Sequence, residues 1–281
     1  MIRIVVDSTC DLPAELYHKH HIGVVPINIQ FGTDSFRDGI DIDRGTFYRL
    51  IDERGILPQT SQPSAGQFEE QYLRLADEGV TDIISIHVTA RLSGTLQSAQ
   101  MAGEMVGEQV RVHPFDSASG SAGLGFLALE AARLAEAGRT VSEILARLEN
   151  LRPRVYILLT LKDLRFAQMS GRVGRLQSSL ASLLDIKPIV ILEEGLIDVR
   201  ERVRSRRRAI ERMFALLKER LGPGGPINLA AIHANDVEAG EALLVRAQTV
   251  FDCRLSFVAD LTASLVVHFG PGTLGLVAYR P

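Results

Sequence analysis

The sequence predicts an α/β fold in two domains. Residues 1–155 form an N-terminal domain on a mostly parallel sheet flanked by helices, and residues 156–281 a smaller C-terminal α/β domain with a hairpin-containing mixed sheet. Three observations lead there. Apolar runs that end in small polar residues recur, each followed by a helical stretch, and parallel neighbours need a crossover that is usually helical. Near residue 155 the pattern changes to hairpin-like strands such as IVILEEGLIDVRERV and longer helices. A composition 46% hydrophobic against 23% charged supplies enough apolar material for a sizeable core.

The elements follow in order. IRIVVDST reads as a buried strand, and DLP after it as the start of a capped helix with Pro13 in its first turn. GVVPINIQFGTDSFRDGIDIDRGTFYRLIDERG reads as a strand, a turn and a helix. In LPQTSQPSAGQFEEQYLRLADEG, Ser64 and Gln67 have the spacing of a capping box, so a helix begins just after Ser64 and Thr60 and Ser61 lie in the loop feeding it. The strand–loop–helix unit then recurs twice, with a strand near residues 83–88 and a helix from about Thr95, and again from VRVHPFDSASGSAG onward. In the second domain GPGGP marks a turn before the strand INLAAIHA. The chain closes with the strand RLSFVADL, a short helix TASLVVHF, a glycine loop and a last strand LGLVAYR.

Several function classes fall away on pattern. HFGPGTLG carries glycines 270, 272 and 275 in the G-x-G-x-x-G order of a dinucleotide loop. That loop must leave a strand and open a helix, because the amides of the following helix hold the pyrophosphate. Here a helix precedes and a strand follows. There is no Walker-type G-x-x-x-x-G-K-[ST], no G-x-S-x-G elbow and no metal-ligand spacing such as H-E-x-x-H, so no metal site or cofactor is expected. Cys10 and Cys253 lie far apart and suggest neither a zinc site nor a disulfide framework. A formal charge of −3 argues against general nucleic-acid binding, although arginines gather between Arg200 and Met213, which reads first as the solvated start of a helix. With no signal-peptide pattern and no long apolar run, the expected location is the cytoplasm.

What remains is a set of hydroxyls at the C-terminal ends of strands, where helix N-termini favour an anion. Each has N-capping as its ordinary reading. For Ser8, Thr9 and Ser117 capping is preferred, because Asp7 and Asp116 beside them would repel an anion. Thr60, Ser61, Ser93 and Thr95 lack an adjacent acid and are the better anion ligands. His87 and His233 fall inside apolar strands, as core histidines do. His268 ends a short helix whose negative end favours a protonated imidazole, which could meet a carboxylate.

DSTCDLP, TSQPS, RLSGTLQSA, DSASGSAGLG, LKDLRFAQMSGRVGR, RVRSRRRA and HFGPGTLG, in this order along the whole chain, resemble the DegV family of bacterial fatty acid-binding proteins. The resemblance implies a non-enzymatic two-domain α/β protein that encloses one long-chain fatty acid, such as palmitate, stearate or oleate. In some members the carboxyl group is presented to a separate fatty acid kinase, which makes the acyl phosphate; a carrier that docks in this way is also expected to make transient contact with a membrane surface. Carried over by motif, Thr60 with Ser61, Ser93 and His268 are the carboxylate contacts. Arg172 and Arg204 match arginines near the carboxyl end or the kinase-docking face. Arg91, two positions before Ser93, stands where a small residue or lysine is common and alters the rim of the site. The alternative reading is an acyl-ester hydrolase or transferase using Ser93 as nucleophile and His268 as base.

Overall fold

The computed structural model of the chain describes residues 1–173 and 186–281. They divide into two compact units, Met1–Pro153 together with Thr262–Ser264, and Arg154–Leu261 together with Leu265–Pro281.

The first unit opens with β1 (Ile2–Asp7), α1 (Ala14–Lys19) and β2 (Gly23–Val25). There follow β3 (Asn28–Phe31), β4 (Asp34–Arg37), α2 (Arg44–Arg54), β5 (Gln59–Ser61) and α3 (Ala65–Asp77). It is completed by β6 (Asp82–His87), α4 (Thr95–Val106), β7 (Arg111–Asp116), α5 (Ser121–Glu136) and α6 (Val141–Leu151). Strands β2-β1-β6-β7 form a wholly parallel sheet, with Val5 opposite Ser85 and Ile84 opposite His113. Val5 and Ile83 of this sheet pack with Phe68 and Tyr72 of α3 and Ala99 and Ala102 of α4 in one buried cluster. The small alanines let α4 approach closely, and burial of the aromatic rings contributes most of the apolar area. α3 begins as the capping-box spacing predicts: Gln67 N donates to Ser64 Oγ at 3.2 Å, and Ser64 N donates to Gln67 Oε1 at 2.9 Å.

One part of this unit differs from expectation. The stretch read as strand, turn and helix contributes β3 and β4 to a second, antiparallel sheet, which β5 from the following stretch completes in the order β4-β3-β5. Thr60 and Ser61 are therefore in β5, paired opposite Ile29 and Asn28, and not in a loop. A three-residue strand is too short for its alternation to register in sequence, and its pairing partner lies some thirty residues away.

The second unit runs β8 (Tyr156–Thr160), α7 (Leu164–Ser170), β9 (Lys187–Glu193), β10 (Leu196–Val203) and α8 (Arg206–Leu221). It continues through β11 (Ile227–His233), α9 (Val237–Val250), β12 (Cys253–Asp260), α10 (Ala263–Phe269) and β13 (Leu274–Tyr279), the first two residues of α10 clustering with the first unit. Its mixed sheet has the order β10-β9-β8-β13-β11-β12, in which only β11 and β12 are parallel. β9 and β10 form the expected hairpin, turning at Glu194 and Gly195. Met213 and Leu217 of α8 and Leu243 and Ala247 of α9 bury against Leu229 and Leu276 of the sheet.

The glycine loop is a helix terminator. Gly270 N donates to Val266 O at 2.8 Å, and Gly270 and Gly272 have φ of 79° and 75°, conformations that cost a side-chain-bearing residue free energy. Thr273 Oγ1 donates to the carbonyls of Phe269 and Gly270, both at 2.9 Å, satisfying two acceptors that the helix end would leave orphaned.

Candidate carboxylate site

Three of the predicted hydroxyls belong to neighbouring segments of the first unit. Thr60 and Ser61 are half-buried in β5, and Gln30 Nε2 donates to Ser61 Oγ at 3.4 Å. Ser93 precedes α4, where its Oγ pairs with Thr95 Oγ1 at 2.8 Å and accepts from Thr95 N at 3.3 Å. The two segments meet at Gly94: a Cβ there would stand 2.6 Å from Gln62 Nε2, so the Gln62 amide lies directly over the glycine. Gly94 is the N-cap of α4, with no side-chain cap and no acid in the first turn. A helix start of this kind, ringed by hydroxyls and an amide, favours an anion through its partial positive charge and exposed N–H donors. Gln62 was not singled out in sequence, since its contact with Gly94 depends on how β5 lies beside α4.

The hydroxyls assigned to capping do other work. Ser8 Oγ donates to Asp38 Oδ2 at 2.9 Å and accepts from Ile27 N at 3.0 Å. Thr9 Oγ1 donates to Asp7, and Ser117 Oγ accepts from Ser119 N at 3.0 Å. The N-caps of α1 and α5 are Pro13 and Gly120, neither with a side-chain cap. Nearby acids take the hydroxyl protons of Ser8 and Thr9, and Ser117 closes a local turn on Ser119 N instead.

His268 lies in the last turn of α10, as expected, but its charge does not. Burial, and then the positive charge of Arg172, pull its pKa down to about 4. The negative end of a short helix offers less than the desolvation of an imidazolium costs. The side chain is therefore neutral at pH 7, with one ring N–H to donate. Arg172 is exposed and its guanidinium donates to Ser170 O. Gly174 and Arg175, which complete the SGRVGR motif, lie outside the described residues.

Arg204 is exposed between β10 and α8. The arginine cluster is not only a helix start, because Arg200 and Arg202 are on β10. Arg206 pairs with Asp236 at 2.5 Å, Arg207 with Glu211 at 3.1 Å and Arg212 with Glu201 at 2.5 Å, so much of its charge is neutralised locally.

A second polar chain resembles a hydrolase triad by connectivity. Asp7 Oδ2 meets His87 Nδ1 at 3.1 Å, His87 Nε2 meets Ser85 Oγ at 2.7 Å, and Ser85 Oγ meets Tyr72 Oη at 2.7 Å. All four residues have no solvent exposure, and Phe68 stands edge-on to the His87 ring. No substrate reaches a serine sealed in this way; the chain satisfies core polar groups and ties β1 to β6. Burial opposes the charge on Asp7, but hydrogen bonds from His87, Thr9 and Val88 overcome it and hold its pKa below the ordinary value. Among the described residues no group of three or more His, Cys, Asp or Glu is placed to hold a metal ion, and no helix is long and apolar enough to cross a membrane.

The DegV family profile, described as an uncharacterised protein family, matches residues 1–280. The chain belongs to the DegV family. Protein DegV of Bacillus subtilis is 33% identical over 276 residues, covering 98% of each chain. The solved structure of that protein, called a fatty acid binding protein, superposes with a TM-score of 0.91 at 32% identity over 100% of this chain and 99% of that one. A DegV family protein of Thermus thermophilus, described for its fatty acid binding, gives a TM-score of 0.91 at 31% identity with the same coverage. A stearic acid-binding protein of Eubacterium ventriosum gives 0.92 at 26% identity, over 100% of this chain and 98% of that one. These DegV-fold neighbours match the architecture above over essentially its full length.

Proposed function

We propose that this DegV-family protein binds a long-chain fatty acid, holding the carboxylate with the hydroxyls of Thr60, Ser61 and Ser93 and the ring N–H of His268, and presents it to a fatty acid kinase. The observation that carries the ligand class is the full-length structural likeness to DegV proteins named for fatty acid binding, at 31% and 32% identity. The start of α4, where Gly94 offers no side-chain cap and lies beside Ser93 and Gln62, supports an anion at that end. A carboxylate leaving water needs donors, and charge-assisted bonds from hydroxyls, amides and an imidazole N–H offset its desolvation. The fatty acid is cargo, and the reading requires no cofactor.

Hydrolysis by Ser93 and His268 is the weaker reading. Ser93 Oγ pairs with another hydroxyl, Thr95, and an imidazole with a pKa of about 4 is a poor general base at pH 7.

Mass spectrometry of lipid extracted from the purified protein tests the ligand class. A C16 or C18 fatty acid is expected, and the absence of any, together with no uptake of added palmitate, stearate or oleate, overturns the reading. Ser93→Ala removes one donor and is expected to cost about 1–3 kcal/mol of oleate affinity, roughly 5- to 150-fold in Kd; an unchanged Kd takes Ser93 out of the site. Arg172 and Arg204 are proposed to act at the carboxyl end or in docking the kinase, with exposed arginines also favouring brief contact with an anionic membrane. Arg204→Ala is accordingly expected to slow acyl phosphate formation by an added fatty acid kinase more than it weakens oleate binding. Equal losses in the two assays would make Arg204 a lipid ligand instead.

A further inference from the structure

Two buried carboxyl groups of the first unit take no part in the site proposed above. Asp11 and Asp38 are 2% and 7% exposed. Each receives a backbone N–H from the segment that opens α10: Thr262 N donates to Asp11 Oδ1 at 2.9 Å, and Ser264 N to Asp38 Oδ2 at 3.2 Å. Hydroxyls complete their surroundings, Ser121 Oγ donating to Asp11 Oδ2 at 2.5 Å and Ser8 Oγ to Asp38 Oδ2 at 2.9 Å. The connection after β1, the connection after β4, the first residue of α5 and the start of α10 thus converge on two carboxyl groups.

The amides at a helix start have no partner within the helix, and its positive end favours acidic acceptors. Asp11 and Asp38 supply them from a distance in sequence. His268 follows Ser264 by four residues on the same helix, about one turn. Fixing the first turn fixes where the imidazole stands.

We infer that Asp11 and Asp38 are positioning residues for the fatty acid site, a pair of carboxyl groups that clamps the first turn of α10 and through it holds His268. The ligand consequence rests on the fatty acid reading above; the clamp itself does not.

The clamp takes up a proton. Burial first, and then the charge of Asp38, push Asp11 up to about 7 against the opposing effects of Ser121, Thr262 and Arg44. Burial also raises Asp38, opposed by Ser264, Ser8 and Arg44. Among the described residues Cys10 and Tyr17 also face Asp11, both neutral because burial raises them further, and Arg44 of α2 is a cation near both carboxyl groups. Asp11 released to solvent titrates near its ordinary value of 3.8. The closed clamp therefore retains a proton that the open one gives up, and it loses stability as pH rises from about 4 to about 7, then levels off. Between pH 6 and pH 8 the opening equilibrium is expected to rise about tenfold.

Hydrogen exchange of the amides of residues 263–269, corrected for intrinsic rates, reads the clamp in the full chain at pH 6 and pH 8, beside oleate affinity at both. Wild type is expected to lose about tenfold protection across this range, and Asp11→Asn, which keeps an acceptor for Thr262 N but cannot ionise, to show no such change. Asp38→Ala is expected to expose the segment at both pH values and to weaken oleate binding, with Asp38→Asn restoring both. Protection that does not change with pH in wild type, or that is unaltered by Asp38→Ala, overturns the clamp. If Asp38→Ala fails to fold, the comparison of wild type with Asp11→Asn still decides it. An exposed segment with unchanged oleate affinity overturns the positioning role while the fatty acid reading stands. Wild type that binds no oleate overturns the fatty acid reading, and the exchange data decide the clamp on their own.

Discussion

Palmitate is expected to bind about 3 kcal/mol more tightly than laurate, roughly 200-fold in Kd. The two differ by four methylenes, and each buried methylene contributes about 0.8 kcal/mol. The head group cannot supply a comparable gain. In the proposed site, Thr60, Ser61, Ser93 and a neutral His268 would replace bonds that the carboxylate already makes to water, so the net contribution of each is modest. On this proposal the carboxylate contacts orient the ligand and the buried tail supplies most of the affinity. Displacement of a fluorescent fatty acid by the series from laurate to stearate measures the slope. A difference below about threefold between laurate and palmitate would mean that the tail stays in water.

Gly275→Ala is expected to lower the stability of the fold by about 1–3 kcal/mol. Gly275 is in β13, opposite Leu159 of β8 on one side and Ile232 of β11 on the other. A Cβ at this position would stand 2.3 Å from Leu159 Cδ2 and 2.9 Å from Leu158 O. The leucine side chain can rotate away, but the carbonyl belongs to the central strands of the six-stranded sheet and moves only with the ladder. A lower urea midpoint with an unchanged m-value is the expected signature, and an unchanged midpoint would show that the sheet absorbs the methyl group.

This glycine illustrates the limit of a motif read in one dimension. As the last G of a G-x-G-x-x-G string it suggests a phosphate loop, and the order of elements removes that reading. Only the paired strands reveal that its place is dictated by a neighbouring backbone carbonyl. Ser64 and Gln67 are the opposite case. Their box forms within four residues, so spacing alone determines it. Ser8 and Thr9 lie between, in a local pattern that permits capping, but Asp38 and Asp7 take their hydroxyl protons.

The candidate site divides along the same line. The motifs that carry the proposed contacts Thr60, Ser61, Ser93 and His268 were legible because short polar motifs survive as strings. Gln62 over Gly94, the carboxyl groups of Asp11 and Asp38 on the α10 segment, and the neutral state of His268 were not. By itself the sequence determined the alternating βα order of the first unit, the hairpin of the second, the capping box of α3 and the family. These depend on hydrophobic period, turn chemistry and contacts a few residues apart. Tertiary structure alone decided which hydroxyl meets which acid, the pairing of β3, β4 and β5, and the protonation of His268. Those follow from burial and from partners up to 251 residues away, through hydrogen bonding and desolvation that no local pattern encodes.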